Sequence, residues 1–325
     1  MKIIQLIIIL LATIYLFSCT NPYEGEGDWQ EDWIATINST SDSLNYIIKE
    51  RAENVQFTPD NTKIIVNREE KGIWSMNLDG TDYKALTDSL LVHSALPSIC
   101  TDSLDFIKIT FAAYSIEKSL SDIYIMNIDG NNLINLTDSP EIYEIYPHFS
   151  SDGSQIVYTT ISDSIYTISI MDEKGDNKYE IISNINISRY YYPVISINEE
   201  RVYYKFSGEN YGLYSVRTNG ENNNCIFNGH LDYNFISMSM DGSKIVFSAN
   251  DHIFIINEEG TEITDLGEGG CAMISNDGTK IVFGGIRIMN SDGTEQKWLA
   301  KGRNPVFSSN GDKIVFNAVR TFPED

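Results

Sequence analysis

Positive charge is what this chain has least of. Its 325 residues carry 23 Lys and Arg against 46 Asp and Glu, a formal charge of −23 with a pI near 4.4. That deficit argues against a nucleic-acid binder, which needs a basic footprint to displace counterions from phosphates. Catalytic signatures are missing as well. There is no G-x-S-x-G elbow, no G-x-x-x-x-G-K phosphate loop, no H-E-x-x-H and no paired C-x-x-C, so an appended hydrolase domain, a P-loop and the common zinc motifs are excluded. Cys100, Cys225 and Cys271 lie far apart, at spacings unlike metal sites, and read as thiols in strands. Prolines number only eight. What is abundant is Ile, Val, Thr, 19 Tyr and 14 Phe, types that suit pleated, half-buried strands. At 42% hydrophobic residues the chain is too apolar to be a disordered acidic segment.

One long apolar run exists, from Ile3 to Phe17 behind Lys2, broken only by Gln5 and Thr13. It falls short of the ~20 residues that span a bilayer and has the form of a secretory signal. Its ending, Leu16-Phe17-Ser18-Cys19, resembles a bacterial lipobox, which implies cleavage after residue 18, acylation of Cys19 and attachment to the membrane through that lipid. Residues 19–33, with Gly, Pro and carboxylates but no apolar period, read as an acidic tether. The acidic residues after Cys19 resemble the surface-export signals of Bacteroidota lipoproteins, offset by five positions and interspersed with glycine. The expected location is the outer membrane, with the periplasmic and cell-surface faces both open.

From Ile34 onward the sequence repeats, and the repeat decides the fold. One phrase is a strand, an x-Asp-Gly turn and a strand closing on Leu-Thr: Ile73 to Gly80 then Leu86-Thr87, and Ile123 to Gly130 then Leu136-Thr137, with further turn glycines at Gly175, Gly220, Gly260 and Gly293. Asp-Gly between alternating strands predicts a type I′ hairpin. A second phrase precedes it, Phe-Ser-x-Asp-Gly followed by Lys-Ile-Val-Phe, as at Phe149 to Gly153 and again around Gly242, Gly278 and Gly311. Together they make four short antiparallel strands per unit, at a mean spacing of 42 residues between Ser41 and Gly293. That is the signature of a propeller blade. The last unit has only two strands, and residues 34–48 match the missing pair. The expectation is therefore an all-β closed propeller over residues 34–325, with seven four-stranded blades, the last completed by the amino-terminal strands. A closed ring leaves only short, protected sheet edges to invite association, so a monomer is expected.

These phrases resemble the TolB-type, or WD-like, β-propeller repeats across nearly the whole mature chain. The resemblance implies fold and little about function, because repeat residues make turns and blade packing. TolB itself, as the resemblance implies, carries an extra α/β domain for which this chain has no room, so its partners are not carried over.

Two function classes follow. The first is a non-catalytic scaffold that binds a protein, peptide or glycan at the channel mouth, without a cofactor. Its candidate contacts are Tyr143, Tyr146, Arg189, Tyr190, Tyr191, Tyr192 and Tyr233, which fall in links between blades, where aromatic faces with polar tips suit such ligands. The alternative is a metal-dependent polysaccharide lyase or hydrolase. Pectate-oligomer lyases on a similar ring hold a divalent metal with histidines, and His93, His148 and His230 lie near the start of three blades.

Overall fold

In the computed structural model, the structure describes residues 29–40, 43–50, 52, 54–68, 71–87, 91–102, 104–115, 120–184, 189–207 and 211–322. Side chains at some strand positions lie outside that description. No helix occurs among the described residues, and none is long and apolar enough to cross a membrane. Among the described residues, twenty-eight strands form seven four-stranded antiparallel sheets. Blades 1 to 6 span residues 54–85, 91–135, 143–184, 189–228, 231–268 and 273–298, each with its strands side by side in chain order. Blade 7 joins the two ends of the chain. Its order is Gly302–Phe307, Lys313–Phe322, Trp29–Asn38 and Leu44–Lys49.

The closing strand is longer than the sequence suggests. Trp29 to Trp33, counted with the tether, pair with Phe322 to Ala318, so the ring includes residues 29–33 as well. Gln30, Glu31 and Asp32 break the apolar alternation there, and backbone pairing needs no such alternation.

The core is a ring of interfaces rather than a single centre. Seven clusters of buried residues each draw on two adjacent blades. One joins Ile109, Phe111 and Met126 to Ile65 and Ile73, and another joins Ile34 and Val315 of blade 7 to Val55, Ile64 and Val66 of blade 1. Every blade therefore buries both sheet faces, which is why the second strands read as near-continuous Ile-Val-Phe runs.

Both repeat phrases have a physical reason. In the inner turn, Ser150 Oγ donates to Asp152 Oδ1 at 2.7 Å, and that oxygen accepts the Ser154 N–H at 2.8 Å. Gly153 takes a φ of +73°. The same knot recurs at Ser239–Asp241, Ser275–Asp277 and Ser308–Asn310. In the outer turn, the Gly80 N–H reaches the Asn77 carbonyl at 2.9 Å with φ +84°, while Asp79 is not left-handed. This is a type I turn closed by a left-handed glycine, not the expected type I′. The aspartate explains the difference, since its Oδ1 accepts both the N–H and the hydroxyl of Thr81, at 3.0 and 2.6 Å. The closing Leu-Thr is also accounted for. Thr87 and Thr137 hydroxyls accept the Ile73 and Ile123 N–H groups at 3.0 Å.

Candidate ligand-binding cavity

The first strand of each blade faces the ring axis, where the seven enclose a cavity of about 590 Å³. These inner strands are Asn54–Phe57, Leu91–Thr101, Tyr143–Phe149, Arg189–Ile195, Leu231–Met238, Met273–Ile274 and Gly302–Phe307. Every described lining residue belongs to one of them or lies within a few residues of one.

The wall is layered along the axis. At one end stand Asn54, Tyr146, Tyr192, Cys271 and Asn304. Tyr146 and Tyr192, on neighbouring blades, stack with ring centroids 4.1 Å apart at 29°. Both have left-handed backbones, with φ of 56° and 49°, as do Cys271 and Asn304. Left-handed tyrosine is uncommon and costs conformational energy. Tyr146, Tyr192 and Asn304 coincide with β-bulges, since the pairing register shifts between Ile145 and His148, Tyr191 and Val194, and Arg303 and Val306. The bulge turns the tyrosine side chains toward the axis, and the following Pro147, Pro193 and Pro305 fix the chain beyond it.

The middle layer consists of Gln56, Ser98, His148, Val194, Ser237, Met273 and Val306, one residue from each blade. Several of its polar groups stitch blades together. Ser98 Oγ accepts the Phe149 N–H at 3.1 Å, Ser237 Oγ accepts the Ile274 N–H at 3.0 Å, and Gln56 Nε2 donates to the Pro97 carbonyl at 2.7 Å. His148 Nδ1 lies 2.8 Å from the Phe149 carbonyl. Burial lowers its pKa, against a smaller opposing effect of that hydrogen bond, so the ring is neutral at pH 7, with Nδ1–H as donor and Nε2 as acceptor. At the other end are Ser151, Ile197, Met240, Asn276 and Ser309.

Among the described lining residues none is Asp, Glu, Lys or Arg, in a chain with 69 such residues by the counts above. Charge is kept in the turns outside the cavity. Asp241, for example, is held down to about 2 by hydrogen bonds from Ser239 and Ser243.

The candidates from the sequence are distributed unevenly. Tyr146 and Tyr192 line the cavity. Tyr143 does not; it is half-buried, and its hydroxyl interacts with Ser121 of blade 2. Arg189, Tyr190, Tyr191 and Tyr233 lie in inner strands, with side chains outside the described part, as is that of His93. Of the histidines, His148 lines the cavity. His230 does not: it is exposed, 3.4 Å from Asp232 and beside Tyr211. No group of three His, Cys, Asp or Glu able to hold a metal occurs among the described residues. Cys100 is a buried free thiol and Cys225 an exposed one. Sequence reasoning missed the cavity's middle layer and its neutrality, although aligning the inner strands on their Pro-x-Phe-Ser phrase shows both.

The fold and repeats define a TolB-like seven-bladed β-propeller. No family model matches the chain, and no curated protein matches it. Solved structures do. A TolB-type protein from Agrobacterium tumefaciens is similar at 18% identity, over 91% of this chain and 100% of that one, with a TM-score of 0.59. An oligogalacturonate lyase in complex with manganese is similar at 12% identity over 91% and 98%, with a TM-score of 0.67. The oligogalacturonate lyase of Vibrio parahaemolyticus gives 13%, 89%, 96% and 0.65. At these identities the likeness is one of fold.

Proposed function

We propose that this protein is a non-catalytic binding scaffold of the bacterial envelope, held to the outer membrane by lipid on Cys19 and taking its ligand in the central cavity. The observation that carries this is the wall itself: a stacked tyrosine pair on strained backbone and convergent neutral polar groups, with no acid–base pair and no nucleophile–base pair among the described lining residues. The lyase alternative requires a divalent metal. The one described imidazole in the wall shares its layer with amide, hydroxyl, aliphatic and thioether groups, a set that does not fit a hard divalent ion. Cations that would hold a polyuronate are also missing from the described wall. Three experiments test the proposal. Fatty-acid labelling in cells should mark the wild type and not Cys19→Ser. A photo-crosslinker placed at Met240 should capture ligand from native membranes in a manner competed by excess unlabelled protein and abolished in Tyr146→Ala. Turnover of a polyuronate with metal added would overturn the non-catalytic reading.

A further inference from the structure

Resting on the reading that the cavity is a ligand site, we infer that its ligand is an uncharged oligosaccharide segment rather than an anionic polymer or an extended peptide. Three observations carry this. The described wall is free of charged side chains although the chain as a whole is strongly acidic. A charged ligand entering there would lose hydration with no described counter-charge to replace it, a cost several-fold larger than that of a neutral hydroxyl.

The second observation separates sugar from peptide. Inner strands are sheet edges, and a bare edge would recruit a peptide by strand addition. Here Pro97, Pro147, Pro193 and Pro305 interrupt four of the seven edges, and proline removes the donor that strand addition needs. Left-handed bulges break the extended geometry at Tyr146, Tyr192 and Asn304. Two further edge N–H groups, of Phe149 and Ile274, are already taken by serine hydroxyls of the adjacent blade. These edges cannot template a strand.

What the wall does offer is side-chain chemistry for polyhydroxyl rings. Tyr146, half-buried in the wall and stacked on buried Tyr192, brings an aromatic surface to the cavity. His148 makes only its Nδ1 hydrogen bond among the described residues, which leaves Nε2 as an acceptor for a hydroxyl. Asn54 and Asn304 flank the tyrosine layer. A cavity of about 590 Å³ lies within the range of small-ligand sites and would hold roughly two or three sugar rings.

Calorimetry on the mature chain, with neutral gluco-, manno- and xylo-oligosaccharides, oligogalacturonate of matched length and an uncharged extended peptide, tests this. The expected result is saturable binding of a neutral oligosaccharide that changes little between about 20 mM and about 500 mM salt. It should weaken about tenfold or more in Tyr146→Ala and in His148→Gln, both checked for an unchanged melting transition. Failure of every neutral sugar overturns the inference. Tighter binding of oligogalacturonate or peptide, lost in Tyr146→Ala, overturns the sugar assignment and leaves the cavity reading intact. Sugar binding unaffected by both substitutions overturns the cavity reading itself.

Discussion

Replacing Arg68 by methionine tests how the ring is fastened. Arg68 ends the second strand of blade 1, and its Nη2 lies 2.6 Å from Glu50 Oε1, just beyond the outermost strand of blade 7. The two side chains are 10% and 21% exposed. The guanidinium also sits over Trp74, 4.6 Å from the ring centroid. Breaking a fully buried pair costs about 3–5 kcal/mol, but Glu50 can partly rehydrate, and Arg68 Nε already lacks a hydrogen-bond partner. Loss of the ion pair at about 1–2 kcal/mol and of the cation–π contact at about 1 kcal/mol gives roughly 2–3 kcal/mol. For a ring of this size that lowers Tm by about 3–5 °C. Scanning calorimetry of Arg68→Met, Glu50→Gln and the double variant should show a single transition each time, with a coupling of about 1–2 kcal/mol between the two sites. A Tm change under about 1 °C, or strictly additive losses, would refute the argument that this contact locks the first blade to the last.

The outer-turn glycines supply a graded test. A Cβ at Gly175, where φ is +82°, would lie 2.7 Å from the Leu136 carbonyl oxygen of the preceding blade, whereas at Gly293, φ +84°, the nearest atom is a side-chain carbon at 3.4 Å. Gly175→Ala should therefore cost about 2–3 kcal/mol and Gly293→Ala only about 1 kcal/mol in chemical denaturation; equal losses would contradict the packing argument. Acid sensitivity has a defined sign. Asp241 falls from 3.8 to about 2 on folding, so its contribution is complete above about pH 4 and disappears as pH drops toward 2. Burial, then the neighbouring Asp152, raises Glu199 above its ordinary 4.5. Its ionised form therefore weighs against the fold at neutral pH, and Glu199→Gln should raise Tm by about 1 °C at pH 7 and by nothing below pH ~4. Burial pushes the Cys100 thiol up to about 12, so iodoacetamide at pH ~8 should modify exposed Cys225 in the native protein and reach Cys100 only in denaturant, as read by peptide mass spectrometry.

Blade count and closure were legible because both are periodic. A turn glycine every 42 residues on average marks the blades, and a half unit at one end needs its complement at the other. Pairing of Trp29 to Trp33 was not legible, since Gln30, Glu31 and Asp32 look like tether and a strand held by backbone pairing keeps no side-chain period. Blade 2 likewise hides its inner turn. Asp102 caps the Leu104 and Phe106 N–H groups without the usual serine and glycine. Convergence of the histidines depended on which way each link turned. His148 is in the pleat position that faces the axis, whereas His230 precedes its strand and stays outside. Tyr146 and Tyr192 are the opposite case. Each stands directly before a proline within an inner strand, and proline inside a strand already implies an edge and a local break.

The distribution of charge, more than its total, limits what this ring can hold. A net charge of −23 repels anionic polymers over roughly a Debye length of ~8 Å, and the described cavity wall offers them no cation to offset the repulsion. Cations are drawn to the surface, yet turn carboxylates such as Asp152 and Asp277 are already engaged by their own serine hydroxyls and backbone N–H groups, and the described wall behind them has no carboxylate. A neutral ligand is exposed to neither effect. Its affinity is set by contact with the tyrosines and by hydrogen bonds, so charge inserted into the wall, as in Ser237→Asp, should damage binding more than any single charge removed from the surface.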